Sequence, residues 1–359
     1  MIDSTLAEWQ ARLRASTAAK TPLRIKGGGT KDFYGETPLG LVFDTGAYAG
    51  IVDYEPTELV ITARAGTPLA EVEQTMATHG QMLAFEPPHF GPGATLGGTI
   101  AAGLSGPRRP YAGAVRDLVL GVRMFDGRGD DLHFGGRVMK NVAGFDVARL
   151  MCGALGTLGV LTEISIKCLP QPRSEATRTF ELSVDESIRR VNEWGGQPLP
   201  VSATCFAGGR LWVRLSGAEP AVRAAASKIG GEEMPDDGAF WRSIRDQTHA
   251  FFADAANTGA ALWRLSVKST APHADLGAEQ LIEWGGALRW LRSGPRVEPS
   301  RLRAWAREQG GHATLFRAGD KSIGVFDPLP APLLAIHKRL KAEFDPHRIL
   351  NPGRMYAAF

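Results

Sequence analysis

The 359-residue chain is poor in cysteine. Its three cysteines, Cys152, Cys168 and Cys205, include no C-x-x-C pair. An iron–sulfur cluster needs about four cysteine ligands at close spacing, so this chain cannot bind such a cluster by itself. Because Cys152 and Cys168 stand among apolar residues, we expect the cysteines to be buried free thiols.

The sequence also lacks a long apolar run and a strong net charge. No window approaches the ~18 uninterrupted apolar residues of a membrane span, and Met1–Thr5 shows neither the basic segment nor the apolar run of a secretory signal. With 41 basic and 38 acidic residues, the charge favours neither nucleic acid nor a membrane surface. We expect a cytoplasmic protein. Any peripheral association with the inner membrane would be made through partner subunits. The basic pair Arg108–Arg109 is expected to meet a loop, an anionic cofactor group or a partner.

Glycine is abundant instead, with 43 residues and no collagen-like period. The glycines are concentrated between Phe90 and Pro170. Small residues at Gly97, Gly98 and Ala101 allow a backbone to approach a large, flat group and offer it unblocked N–H groups. The pattern indicates a bound cofactor, and we identify no metal site.

A dinucleotide fingerprint of the Rossmann type is one interpretation of Gly91, Gly93 and Gly97. That fingerprint requires a buried strand before it and an acidic residue ~20 positions beyond it. Here Pro87 and Pro88 precede the glycines, and a double proline does not belong in a central strand. The Rossmann interpretation is therefore disfavoured.

The segment Leu23–Lys26 alternates apolar and basic residues, which predicts a short strand that runs into Gly27–Gly29. Successive glycines after a strand can present several backbone N–H groups to a pyrophosphate. Thr30 and Lys31 add a hydroxyl and a positive charge. An ordinary glycine turn remains the alternative.

The order of these pieces resembles a known family. The glycine loop comes first, then the block Ala94–Asp117, then Gly135–Pro170, and finally Asn351–Pro352–Gly353. This series is similar to the FAD-binding module of vanillyl-alcohol-oxidase, or PCMH-type, flavoproteins, and within that superfamily to the FAD-binding subunits of bacterial glycolate oxidases. The resemblance covers about half of the chain firmly.

The resemblance implies an α+β protein with the PCMH-type two-subdomain FAD-binding fold and an α+β, ferredoxin-like cap domain. We expect the FAD-binding domain over residues 1–170, the cap over 171–328, and a C-terminal helix and loop over 329–359 that return to the FAD domain. The tail should pack there through Leu333, Ile336, Leu340 and Phe344, which share one helical stripe.

The resemblance also implies which residues contact FAD. Some family members carry a histidine in the first loop that bonds covalently to flavin. Here Gly29 takes that position and no histidine lies between Thr21 and Tyr54, so we expect non-covalent FAD. Two tyrosines of the family pattern are replaced, by Ala112 and Phe145. The expected contacts are made by Lys26, Gly27, Gly28, Gly29, Thr30, Lys31, Thr95, Gly97, Gly98, Ala101, Gly159, Val160 and Asn351.

The implied activity is oxidation of glycolate to glyoxylate in a complex with a companion flavin subunit and an iron–sulfur subunit, with electrons passed onward. The family's Gly-Asn-x-His cluster is absent, so the only catalytic candidates are His89, Arg289 and His312. Two alternatives stay open: a stand-alone FAD-dependent 2-hydroxy-acid dehydrogenase, or a non-redox scaffold subunit of the complex.

Overall fold

The computed structural model describes residues 3–136, 146–235, 238–294 and 297–359. The replaced tyrosine position Phe145 lies outside these ranges, as does the preceding Gly144. Among the helices within the described ranges, none is both long enough and apolar enough to span a bilayer.

The described residues of the first part of the chain form three separate sheets and two clusters of buried apolar side chains. Its elements are α1 (Ser4–Ala19), β1 (Leu23–Lys26), β2 (Leu41–Asp44), β3 (Ile51–Glu55), β4 (Val60–Arg64), α2 (Leu69–Ala77), β5 (Gln81–Met82), α3 (Leu96–Ala102), α4 (Arg109–Ala112), α5 (Val115–Leu118), β6 (Val119–Phe125), β7 (Asp131–Gly135), α6 (Val147–Met151), β8 (Val160–Lys167) and β9 (Leu169–Pro170).

One two-stranded sheet pairs β1 with β2 in parallel, and α1 covers it through Leu6, Trp9 and Leu13. A second pairs β5 with β9 in antiparallel orientation. The larger sheet has the order β3-β4-β8-β6-β7 and is antiparallel throughout. An antiparallel sheet cannot be built from the parallel βαβ units of a Rossmann domain, which contradicts the dinucleotide interpretation. Two strand-like runs separated by the turn sequence Asp126–Gly129 predict a hairpin, and β6 and β7 form it.

The second part of the chain forms one antiparallel sheet with the order β13-β10-β12-β11-β15-β16-β14-β17. The expected α+β character is confirmed, and the sheet has eight strands within the described ranges. Its elements are β10 (Ser174–Glu181), α7 (Val184–Gly195), β11 (Val201–Ala207), β12 (Arg210–Gly217), α8 (Glu219–Ile229), β13 (Glu232–Met234), α9 (Ala239–Arg245), α10 (Ala250–Thr258), β14 (Ala261–Ser266), β15 (Glu279–Glu283), β16 (Leu288–Ser293), α11 (Pro299–Glu308) and β17 (His312–Arg317).

The two faces of this sheet pack against different partners. On one face Leu288, Trp290 and Phe316 form a cluster with Phe33 and Phe90 of the first part of the chain. On the other face the strands pack against the sheet's own helices. The first face is therefore the one that meets the cofactor-binding half.

A partly buried network of ion pairs joins the two parts. Arg108 contacts Glu86 and also Glu175, with its Nη2 2.6 Å from the Glu175 carboxylate. Arg214 of β12 reaches the same Glu86, 2.8 Å away. The pKa of Glu175 is lowered, because hydrogen bonding to Ser216 and the charges of Arg214 and Arg108 outweigh the opposing effect of burial. Arg108 of the basic pair thus links the two parts of the chain through ion pairs.

The tail returns to the first part of the chain through polar anchors. Helix α12 (Ala331–Phe344) leaves Leu333 and Ile336 42% and 44% exposed, so the predicted apolar stripe is wrong for these two residues. Lys341 is buried instead, and its Nζ donates to the carbonyls of Thr157 and Leu350 and to the Asp345 carboxylate, each at 2.7 Å. We propose domain boundaries at residues 170 and 328. They rest on the contacts of the tail and on the separation between the five-stranded and eight-stranded sheets.

We expect Lys341→Met to lower the free energy of unfolding by about 3–5 kcal/mol, because it leaves the Asp345 carboxylate buried without its counter-ion. Urea unfolding at neutral pH measures the change. Lys338→Met, at an exposed position of the same helix, is the matched control. Equal stability of the two variants would contradict the anchoring role.

Candidate cofactor site

A cleft of about 920 Å³, open mouth included, lies where β1, the following glycine loop, helix α3, the turn before β8 and the tail converge. Its walls therefore come from stretches that lie far apart in sequence: the β1 strand with its glycine loop, helix α3, the turn before β8, and the tail.

Eleven of the thirteen residues expected to contact the cofactor line this cleft, and two do not. Val160 is fully buried in the core beside Phe125, and the two residues are paired on neighbouring strands. Lys26 ends β1 and also lies outside the lining. The eleven are Gly27, Gly28, Gly29, Thr30, Lys31, Thr95, Gly97, Gly98, Ala101, Gly159 and Asn351.

The glycine loop and the central segment touch backbone to backbone. A Cβ on Gly28 would lie 1.4 Å from the carbonyl oxygen of Gly93, and a Cβ on Gly27 would lie 2.6 Å from Oγ1 of Thr95. Neither position can hold a side chain without displacing backbone or a capping hydroxyl. An ordinary glycine turn does not account for this approach, whereas a cradle beside a cleft does.

Helix α3 is pressed onto the sheet by its own small residues. The amide of Gly97 donates to the carbonyl of Ala65 at 2.8 Å, and a Cβ on Gly97 would lie 2.7 Å from that of Ala65. Thr95 caps the helix by accepting a bond from the Gly98 amide at 3.2 Å. This bond uses a lone pair of Thr95 Oγ1, so its hydroxyl hydrogen remains able to donate.

The tail and the cap fix the loop after Gly29 with residues that sequence reasoning mostly missed. The guanidinium of Arg354, whose pKa burial lowers to about 10, donates to the carbonyl oxygens of Asp32, Tyr34 and Glu36. Lys321 donates to the carbonyls of Phe33 and Gly35 at 2.8 and 2.6 Å. The tail motif had drawn attention to Asn351, and Arg354 stands three residues later in the same motif.

Asn351 connects three of the walls. Its Oδ1 accepts a bond from the amide of Ile25 at 2.8 Å, and its Nδ2 donates to the carbonyl of Leu155 at 2.6 Å. A Cβ on Gly156 would lie 2.7 Å from the same Nδ2. Both ends of the Asn351 amide are therefore engaged with backbone, so its role in the structure is to position β1 against the turn.

Among the described residues that line the cleft, Lys31 is the lysine. Burial lowers its pKa to about 8, with the charge of Asp246 opposing that effect. Its Nζ lies 3.3 Å from the carbonyl oxygen of His89 and 3.4 Å from Oγ1 of Thr30. A phosphate group in the cleft would favour the charged form of this lysine.

The three catalytic candidates lie outside the cleft. The Nε2 of His89 is 2.9 Å from a carboxylate oxygen of Glu73, so its ring is held away from the cofactor site. Arg289 is fully buried, and its guanidinium donates to the carbonyls of Gly286 and Ala271 at 2.8 and 2.7 Å. His312 begins β17, and its pKa is lowered by burial and by the charge of Arg264.

Burial also raises the pKa values of the cysteine thiols, to about 12 for Cys152 and about 11 for Cys168. A thiol that stays protonated is a poor nucleophile and a poor metal ligand. Within the described ranges, no group of three or more histidine, cysteine, aspartate or glutamate side chains is arranged to hold a metal ion.

Comparison with known proteins agrees with this geometry. Residues 4–135 match the family described as FAD binding domain. Glycolate oxidase subunit GlcE of Escherichia coli is 52% identical over 94% of this chain and 93% of its own length. Glycolate oxidase subunit GlcD of Bacillus subtilis is 25% identical over 94% of this chain and 84% of its own length. A D-lactate dehydrogenase of Archaeoglobus fulgidus is 29% identical over 55% of this chain and 45% of its own length.

A solved structure of alkyldihydroxyacetonephosphate synthase superposes with a TM-score of 0.66, covering 96% of this chain and 74% of that one. At 15% identity this likeness shows a shared fold only. The PCMH-type fold with its cap is thereby confirmed. The 52% identity to GlcE over nearly the whole length of both chains decides the family. The chain belongs to the glycolate oxidase subunit GlcE family and is an FAD-binding protein.

Proposed function

We propose that this chain is the FAD-binding subunit of a glycolate oxidase complex that oxidises glycolate to glyoxylate and passes the electrons onward. The observation that carries the proposal is the side-chain-free cradle where Gly27 and Gly28 meet Gly93 and Thr95 beside the cleft. The 52% identity to GlcE of Escherichia coli supports the choice of reaction.

The lining fits a non-covalently held FAD. The amides of Gly27–Gly29 and the hydroxyl of Thr30 would face the pyrophosphate, and Lys31 would supply a positive charge. Thr95, Gly98 and Ala101 would lie along the flat ring system. When bound, FAD supplies the acceptor for the two electrons removed from the substrate carbon, and the protein's residues place and enclose it.

The proposed partners are a companion flavin subunit and an iron–sulfur subunit. The likeness to GlcD of Bacillus subtilis supports a flavin companion with a related fold. With only three cysteines, none of them in a C-x-x-C pair, the cluster is assigned to another chain. The proposed subunit works in the cytoplasm, and its companions make any contact with the inner membrane.

We expect Gly28→Ala to weaken FAD binding at least about tenfold, because the added methyl group would collide with the Gly93 carbonyl. The ratio of flavin absorbance at ~450 nm to protein measures the loss after reconstitution. Gly195→Ala, where a Cβ meets no atom within 4 Å, is the control. If folded Gly28→Ala held a full complement of FAD, the cleft would not be the cofactor site.

We expect FAD affinity to fall as the pH rises through about 8, because Lys31 is charged below its lowered pKa and neutral above it. Loss of one charge-assisted contact should weaken binding about tenfold or more. Arg stays charged over this range, so Lys31→Arg should give a flat profile between pH 7 and pH 9. Titrations of wild type and variant with FAD at several pH values make the comparison. Parallel profiles for both would remove Lys31 from the site.

We expect a complex assembled with the Gly28→Ala chain to lose one flavin per complex and at least about tenfold in glycolate-dependent dye reduction. Flavin and iron counts on the co-purified complex establish the stoichiometry. Full activity despite that missing flavin would favour a scaffold role. Rapid anaerobic bleaching of the isolated wild-type chain by glycolate would favour the stand-alone dehydrogenase.

A further inference from the structure

The cofactor cleft is lined by residues of the first domain and of the tail. Among the described residues that line it, none comes from the cap. One cap residue, Asp246, nevertheless reaches a segment that lies behind the cleft wall. Asp246 directly follows helix α9, and its side chain is 23% exposed.

The segment behind the cleft wall is held in a strained conformation. We call residues 86–90 the bridge segment, and it carries a double proline between Glu86 and His89. Glu86 and Phe90 both have left-handed backbone, with φ of 48° and 54°, which is unfavourable for a residue with a side chain. Contacts with neighbouring elements must therefore fix this segment. At one end Arg214 of the cap pairs with Glu86 at 2.8 Å.

His89 fixes the other end of the bridge segment through both its main chain and its ring. Its amide donates to Oδ1 of Asp246 at 2.9 Å, and its Nε2 lies 2.9 Å from Oε2 of Glu73. The second carboxylate oxygen of Asp246 accepts from Nη2 of Arg245 at 2.8 Å. Because both oxygens of Asp246 are engaged, this carboxylate holds the His89 main chain in one place.

The carbonyl group of His89 connects the bridge segment to the cofactor cleft. It accepts from Nζ of Lys31 at 3.3 Å, and Oγ1 of Thr30 lies 3.4 Å from the same nitrogen. A lysine ammonium carries three hydrogens, so one remains for a group in the cleft. Since the amide and the carbonyl belong to one residue, fixing the His89 amide limits where the Lys31 ammonium can lie.

Asp246 also acts on Lys31 through its charge. Burial lowers the pKa of the Lys31 ammonium to about 8, and the negative charge of Asp246 opposes this effect. Without that charge the ammonium would lose its proton at a lower pH. The other charged and titratable groups around Lys31 are Arg245 beside Asp246, Arg317 of β17 on the Phe90 ring that Lys31 also contacts, and His89 with its partner Glu73 of α2.

We propose that Asp246 is a positioning residue for FAD, which places the Lys31 ammonium beside the cofactor phosphates by holding the His89 main chain. Its negative charge also keeps that ammonium protonated where burial disfavours a charge. The assignment of Lys31 to the phosphates rests on the proposed function, whereas the link from Asp246 to Lys31 rests on the contacts of His89. By this inference the cap helps to hold the cofactor although it does not line the cleft.

The test compares the FAD affinity of the full chain at pH 6.5 and at pH 7.5. The apo chain is titrated with FAD, and the change in flavin fluorescence is followed. Asp246→Asn keeps an oxygen that accepts from the His89 amide but removes the charge. We expect it to bind FAD like wild type at pH 6.5 and about threefold more weakly at pH 7.5, because more of Lys31 is then neutral.

Three further variants separate the charge from the contact. Asp246→Ala loses both, so it should weaken FAD binding at both pH values. In the Lys31→Arg background position 31 stays charged, so adding Asp246→Asn should leave the pH profile flat. Glu219→Gln removes one negative charge from a cap side chain that is 72% exposed, and it should match wild type at each pH. Melting temperatures establish that each variant is folded.

Equal affinities of Asp246→Asn and wild type at pH 7.5 would overturn the inference. A loss that is the same at both pH values and persists in the Lys31→Arg background would also overturn it, because it would show a general effect on the fold. Both results leave the proposed function intact. A wild-type chain that does not bind FAD would overturn both, whereas a chain that shows the expected Asp246 effect but takes no part in glycolate oxidation would refute the proposed function alone.

Discussion

The close backbone approach of Gly28 to Gly93 is the constraint on which the cofactor site depends. Only a residue without a side chain fits where a Cβ would lie 1.4 Å from a carbonyl oxygen. The contact brings the end of β1 to the start of α3, and the Gly97–Ala65 contact then seats that helix on the antiparallel sheet. The space left between these backbones is the cleft, so its shape is determined by main chain and is largely independent of side-chain rotamers.

Charged side chains from the tail and the cap hold the glycine loop and the domain contact in place. The loop after Gly29 leaves several carbonyls without partners of its own, and Arg354 from the tail and Lys321 from the cap donate to them. Glu86 holds Arg108 and Arg214 together across the domain contact. Buried cations in this region are therefore satisfied by carbonyls or carboxylates supplied by other elements.

The C-terminal tail shows how a polar contact can replace an apolar one. An apolar stripe along α12 suggested packing, yet Leu333 and Ile336 stay exposed. The tail is held instead by the buried Lys341–Asp345 pair and by backbone pairing of Leu23 with Leu350. Asn351 and Arg354 are thereby delivered to the cleft from more than 300 positions along the chain.

The sequence alone determined the antiparallel hairpin of β6 and β7, the glycine loop after β1, the two-part organisation and the identity of most cleft residues, because these depend on local backbone preferences and on the order of motifs. Lys26 and Val160, also expected to contact the cofactor, lie outside the cleft lining, since alternation along a strand does not say which side faces a cavity. Only the tertiary structure decided that His89, Arg289 and His312 lie outside the cleft. Those three come from different elements, and the partners that a charged side chain finds are decided by the packing of one element against another, which no local pattern records.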